Sequence, residues 1–182
     1  MIIIVLDFDD TLFPTTEYTK NKNIDTKKTY ETIKKIINIF KTFSHLIYII
    51  TNASEDWVSY CFLDILNKPL HCLEHINIIS TIDKGYNYNL ENAISSWKKT
   101  AFEKVLSEYL QSNIQNIFLF IGDNPYDRDG ALHIMKTYPN HIVKSIKYKI
   151  LPSLNILIEQ HNQTITHLVK ILFTEGNLDL QL

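Results

Sequence analysis

Cysteine is almost missing from this chain: Cys61 and Cys72 are the only two in 182 residues. Two thiols do not make a disulfide framework, so a reducing, cytoplasmic setting fits. Long apolar runs are missing too. No stretch approaches the roughly 20 residues a membrane span needs, so no membrane partner is expected. The opening Met1–Leu6 has no basic flank and ends in Asp7, which argues against a secretion signal. Charge of one sign is also lacking. A net charge of −2 excludes a global attraction to nucleic acid or to an acidic membrane surface and leaves room only for a local basic patch. Glycine is scarce while Ile, Asn, Lys and Tyr abound, which we read as coding bias and not as chemistry.

What is present is ordinary globular material. Apolar residues make up 45% and charged residues 21%, enough for a proper core in a chain of this length. No internal repeat and no flexible linker divides it, so residues 1–182 are expected to form a single domain. Short apolar runs alternate with amphipathic stretches, the signature of a three-layer α/β fold with a parallel sheet. The predicted strands are Ile2–Leu6, Leu46–Ile50, Ile76–Ile79, Ile117–Ile121 and Ile142–Ile146. Each is rich in Ile, Val, Phe or Tyr, as expected of strands covered on both faces. The predicted helices are Lys27–Phe43, Ser54–Leu66 with Ser54 as its cap, Ser96–Leu110, Asp129–Lys136 and Ser153–Phe173. Pro14 to Asp25 reads as a loop or small hairpin, and Thr81 to Ser95 as a polar loop.

The first strand runs directly into Asp7-Phe8-Asp9-Asp10-Thr11. Burying carboxylates is unfavourable unless a cation or another partner compensates them. In open α/β sheets the carboxyl ends of the strands are where ligands bind. Three more features fall at such ends: Thr51-Asn52 after the second strand, Lys98-Lys99 at the start of the helix after the third, and Gly122-Asp123-Asn124-Pro125-Tyr126-Asp127 after the fourth. Parallel strands bring these ends to one rim. Several carboxylates with hydroxyl and lysine company suit a hard cation such as Mg²⁺ holding a phosphate.

In these residues the chain resembles the haloacid dehalogenase (HAD) superfamily of phosphotransferases. Asp-x-Asp-x-Thr at Asp7, Asp9 and Thr11, a strand ending in Thr51, a lysine opening a helix, and Gly-Asp-x-x-x-Asp at Gly122, Asp123 and Asp127 match its four motifs in order, over residues 2 to 131. The resemblance implies a Rossmann-like sheet of five strands in the order 5-4-1-2-3. It implies that Asp7 attacks phosphorus to form a phospho-aspartate. Asp9 would protonate the leaving oxygen and then deprotonate water. Asp7, the main-chain carbonyl of Asp9, and Asp123 would hold Mg²⁺. Thr51 and a lysine would bind the phosphoryl oxygens, helped by main-chain amides near Phe8 and Asn52. Thr11 would brace the first loop, and Asp127 would orient the lysine or the metal's waters. An Asp two residues after the nucleophile is similar to the phosphatases of the superfamily and unlike its dehalogenases and P-type ATPases.

Helical phase separates the two lysines. At about 100° per residue, Ala101, Phe102, Val105, Leu106 and Tyr109 centre close to the direction of Lys98, with Lys99 toward the stripe's edge, so Lys98 is favoured. One helix and a short flap consume the chain between Asp9 and Thr51. A helix, a strand and the loop holding Tyr86 and Tyr88 consume that between Thr51 and Lys98. No large cap domain is therefore expected, and an open site admits phosphorylated small molecules or macromolecules. Asp-Phe-Asp-Asp-Thr-Leu-Phe-Pro is similar to the first motif of small magnesium-dependent phosphatases that act on phosphotyrosine and sugar phosphates, a likeness of one motif that does not transfer the substrate.

Blander readings cover the rest. Asp10 is expected to be a solvated turn residue and Asp129 a helix cap or first-turn charge. Trp57 and Trp97 are read as packing residues. His71-Cys72-x-x-His75 is read as a surface connection rather than a zinc site. The Lys20–Lys28 cluster is read as a solvated face, and Tyr86 and Tyr88 as loop aromatics or a recognition lip. Two rivals stand beside the phosphatase: a catalytically silent module that binds phosphorylated partners, and a nucleic-acid-end phosphatase, for which composition supplies no basic track. Oligomeric state stays open.

Overall fold

A computed structural model describes residues 1–21, 23–84 and 95–182. In chain order, β1 (Ile2–Leu6) leads through α1 (Thr15–Asn21) and α2 (Thr26–Phe43) to β2 (Leu46–Thr51). Next come α3 (Glu55–Tyr60), which runs on as a π-helical turn over Cys61–Ile65, a 3₁₀ turn at Leu70–Leu73, and β3 (Asn77–Ser80). Then follow α4 (Ser95–Val105), α5 (Ser107–Leu110), β4 (Ile117–Gly122), α6 (Pro125–Thr137), β5 (Ile142–Lys147), α7 (Leu154–Phe173) and β6 (Leu178–Gln181).

The six strands among the described residues are parallel, in the order β3-β2-β1-β4-β5-β6. The expectation of five strands is corrected here. The first five lie as 3-2-1-4-5, the expected order read from the other edge, and β6 extends the sheet beside β5. This strand is only four residues long, and its Leu-Asp-Leu-Gln pattern alternates half-buried and exposed positions. An edge strand with one covered face reads that way, and four residues are too few to stand out in sequence. The turn before it is anchored from β5. The ammonium of Lys144 donates to the carbonyls of Thr174, at 2.6 Å, and Gly176.

Period-two alternation divides the core. Ile4, Leu6, Ile47, Ile49, Leu119 and Ile121 face the side covered by α2, α3 and α7. Ile3, Val5, Tyr48, Ile50, Phe118 and Phe120 face α4 and α6. Gly130 lets α6 close on α4, because a Cβ there would stand 2.7 Å from the Phe102 ring.

Local chemistry explains the altered helix bounds. Segment 14–25 holds a helix, α1, where a loop or hairpin was expected; no residue of α1 is buried, so no apolar stripe marks it. The predicted Ser96–Leu110 helix breaks at Leu106 into α4 and α5. Helix α6 begins at Pro125, before the predicted Asp129. Asn124 is its cap, forming a capping box with Asp127, and Pro125 occupies the first turn. Asp129 is thus an exposed residue inside the helix and not its cap. Ser54 caps α3 as read, accepting from the Trp57 amide, and Ser153 caps α7 instead of opening it, accepting from the Ile156 amide. Among the described residues, no helix is long and apolar enough to cross a membrane.

Candidate active site

The site is built where β1 and β4 end side by side. The Asp7 amide donates to the Ile121 carbonyl at 2.9 Å, carrying the β1–β4 ladder one residue past the strand. The chain then folds back on itself. The Phe8 carbonyl accepts from the amides of Leu12 at 2.9 Å and Phe13 at 3.0 Å. The buried Phe8 ring stacks on Phe13, with centroids 5.9 Å apart and planes at 6°, so this loop is nailed to the core at both edges of the turn.

Asp10 departs from the expectation of a solvated residue. It is buried and adopts a left-handed φ of 54°. Its carboxylate accepts from the Thr16 amide at 2.8 Å and the Thr16 hydroxyl at 2.5 Å, satisfying the free amino end of α1. The short helix owes its place to this side chain. Thr11 joins three elements. Its hydroxyl accepts from the Asp123 amide at 3.0 Å, and its carbonyl accepts from His161 Nε2 of α7 at 2.7 Å. Burial drives the His161 imidazole down to about 4, so it is neutral and donates from Nε2 at neutral pH.

Lys98 enters the site and Lys99 remains half-exposed at the edge. Lys98 Nζ lies 2.6 Å from Asp7 Oδ1 and 2.8 Å from Asp127 Oδ1, and donates to the Ile50 carbonyl. Gly122 makes room for this arrangement. A Cβ at residue 122 would stand 2.5 Å from the Asp127 side chain. Beyond the ammonium, Asp127 Oδ1 is buried without a hydrogen-bond donor.

The electrostatics follow from crowding. One atom each of Asp7, Asp123 and Asp127 lies within 4.8 Å of the others, and all three residues are buried. Burial raises the Asp7 carboxyl well above the usual carboxylate range, with the neighbouring Asp127 adding to it and Lys98 opposing. Burial, then Asp127 and Asp10, push Asp123 up to about 7. Lys98 is shifted upward: burial alone would lower it, but the combined pull of Asp127 and Asp7 prevails. One ammonium is too little positive charge for three buried carboxylates.

The remaining predicted residues surround this cluster. The Thr51 hydroxyl accepts from the Ala53 amide at 3.0 Å and lies 3.4 Å from Asp9 Oδ2. The Asn52 side chain accepts from the Thr81 hydroxyl at 2.8 Å and lines the cavity. Asp9 Oδ1 accepts from the Trp57 indole at 2.8 Å and the Thr15 hydroxyl at 2.5 Å. The cavity measures about 210 Å³. It is walled by Asp7, Asp9, Asp123, Asp127 and Lys98, with Tyr126 and Leu151 at its edge. A larger hollow of about 310 Å³ between α7 and β6 is mostly aliphatic and carries none of these groups.

Sequence reasoning missed Trp57 as a hydrogen-bond donor, along with Thr15, His161, Tyr126 and Leu151. Trp57 does pack, edge-on to Phe13, but its indole also reaches Asp9 from 48 residues away, a pairing with no local signal. Leu151 is 61% exposed with φ 53°, an unusual conformation for leucine at the mouth of the site. His71 pairs with Glu74 at 2.8 Å, next to the buried Cys72. Tyr86 and Tyr88 lie outside the described residues, as does Lys22 of the lysine cluster; Lys20, Lys27 and Lys28 are exposed. No family model, no curated protein and no solved structure matches this chain.

Proposed function

We propose that this chain is a HAD-like, Mg²⁺-dependent phosphomonoesterase that works through a phospho-aspartate on Asp7. The observation that carries the reading is the buried lysine that joins two strand ends, with Lys98 Nζ 2.6 Å from Asp7 and 2.8 Å from Asp127. A purely structural ion pair needs one carboxylate. Here three crowd one ammonium beside a cavity, and Asp127 Oδ1 keeps an unused lone pair.

That donor set fits a hard divalent cation: oxygen ligands only, close together, with uncompensated negative charge. Asp7, Asp123 and the main-chain carbonyl of Asp9 would hold it, with Asp127 beside them. When bound, Mg²⁺ supplies the positive charge that lets an anionic nucleophile meet an anionic phosphate. The chain's own groups do the rest. An Asp7 carboxylate oxygen attacks phosphorus in line with the leaving oxygen. Lys98 and Thr51 hold the phosphoryl oxygens, with main-chain amides at Phe8 and Asn52 completing the cradle. Lys98 also keeps Asp7 in place through their ion pair. Asp9 gives a proton to the leaving oxygen and takes one back from the attacking water. Thr11 fixes the Asp7 loop to the Asp123 loop through the 3.0 Å hydrogen bond between them.

The substrate class is a phosphate monoester on a small molecule or a macromolecule. Among the described residues no folded cap lies between the motifs, so the leaving group is free to be large. The two cysteines are buried and unpaired, which suits a reducing, cytoplasmic setting. The test is hydrolysis of a simple aryl phosphate with and without Mg²⁺. Asp7→Asn should lower turnover by about 10³-fold or more while the circular dichroism spectrum stays native. An Asp7→Asn protein that kept most of its activity would overturn the mechanism. A wild type that bound phosphate without any turnover would make the chain a binding module.

A further inference from the structure

Asp9 receives donors from three separate elements. Trp57 Nε1 of α3 lies 2.8 Å from Oδ1, Thr15 Oγ1 of α1 lies 2.5 Å from the same oxygen, and Thr51 Oγ1 at the end of β2 lies 3.4 Å from Oδ2. The two carboxylate oxygens are thus unequal. An indole N–H has no lone pair and acts only as a donor. The Thr15 hydroxyl has one hydrogen, and its other neighbour, the Phe13 carbonyl, is at 3.5 Å, so the short contact to Oδ1 claims that hydrogen. Oδ1 has two in-plane lone pairs, and both are occupied. A proton on Asp9 is left with Oδ2.

We propose that Trp57 is a positioning residue for Asp9: together with Thr15 it fixes the carboxylate plane and confines the transferable proton to Oδ2. The inference rests on the phosphomonoesterase reading and deepens it. As the bond from Asp7 to phosphorus forms, the bond from phosphorus to the leaving oxygen breaks. The departing oxygen keeps that electron pair and takes the proton from Oδ2. In the second step water attacks phosphorus and passes its proton to Oδ2, and Asp7 leaves with its electron pair. Without the indole, the carboxylate rotates between two faces, and the acid is out of place when the leaving oxygen needs it.

Packing alone would ask only for a ring at residue 57. Trp57 meets Phe13 edge-on with centroids 6.4 Å apart and stacks on Tyr60 at 5.8 Å, contacts that a phenylalanine largely reproduces. Trp57→Phe therefore removes the donor and keeps a ring. The measurement is kcat/KM with Mg²⁺ over a series of aryl phosphates, from 4-nitrophenyl phosphate, whose leaving group departs without a proton, to phenyl phosphate, whose leaving group needs one. The expected result is a loss on phenyl phosphate about tenfold greater than on 4-nitrophenyl phosphate, the effect of one hydrogen bond. Thr15→Val, at the partly exposed start of α1, should shift the same ratio in the same direction and keeps the test available if Trp57→Phe fails to fold. Equal losses across the series, or no loss, in whichever variant folds would overturn the positioning role and leave the phosphatase reading standing. A wild type inert on every ester would remove both.

Discussion

Among the described residues two lysines are buried, and they live in different worlds. Lys98, at the rim where β1, β2 and β4 end, faces Asp7 and Asp127 and holds its proton more firmly than usual. Lys144, on β5 near the outer edge, donates to the carbonyls of Thr174 and Gly176, and burial shifts it downward. Both side chains are almost wholly removed from water, at 2% and 0% exposure. Exposure is therefore similar and the partners differ. An ammonium among carboxylates that line a cavity is what the proposed reaction calls for. An ammonium on two main-chain carbonyls is a clasp that ties β6 and its turn to the sheet.

The comparison breaks if both lysines fail in the same way. Lys98→Met should eliminate turnover and also lower stability by about 3–5 kcal/mol at neutral pH, because Asp7 and Asp127 lose their cation. Lys144→Met should cost about 1–3 kcal/mol through two unpaired carbonyls while kcat per folded molecule stays within about twofold of wild type. Denaturant melts and active-site-normalised assays measure both. A Lys144→Met protein as inactive as Lys98→Met would erase the distinction.

Mg²⁺ sharpens the contrast. Burial, with Asp127 beside it, holds the Asp123 carboxyl at about 7 in the folded protein, above its ordinary value of 3.8. Its contribution to stability is therefore full below pH 3.8 and is lost as pH rises through about 7 in the metal-free protein. A bound cation would take the place of that proton. The rise in Tm on adding Mg²⁺ should be small at pH 5 and large at pH 8, reaching about 2.7 kcal/mol at a hundred times Kd. Lys144→Met should keep this profile, and Asp123→Asn should flatten it. A Tm unmoved by millimolar Mg²⁺ at pH 8 would count against the metal site.

Two glycines carry the comparison to the backbone. Gly122→Ala drives a methyl against Asp127 and should cost about 1–3 kcal/mol, with turnover falling further as Asp127 leaves Lys98. Gly176→Ala meets no neighbour, but φ is 70°, so about 1 kcal/mol of conformational strain is expected with kcat unchanged. Equal kcat in the two variants would detach Asp127 from the reaction.

Much of this was legible because burial on both faces writes itself into strands. Ile2–Leu6 and Leu46–Ile50 read as continuous apolar runs, and the residues directly after them gave the rim. Helical phase separated Lys98 from Lys99 because Ala101 and Phe102 are buried on the same side. The missed features have weak or distant signals. Helix α1 has no buried residue and depends on Asp10, and β6 has one covered face over four residues. Trp57 meets Asp9 only after β1 and α3 have packed. The start of α6 was written in Asn124-Pro125, a cap followed by a first-turn proline, and the pattern went unread.

The central place of β1 has a consequence for assembly. It pairs with β2 on one side and with β4 on the other, and Asp7 waits for Lys98 across 91 residues of chain. During synthesis β1 and β2 emerge well before α4, which carries the counter-charge Lys98. Closing so distant a pairing is a slow step. Burying the carboxylates before Lys98 arrives would leave them without a counter-charge, which costs several kcal/mol.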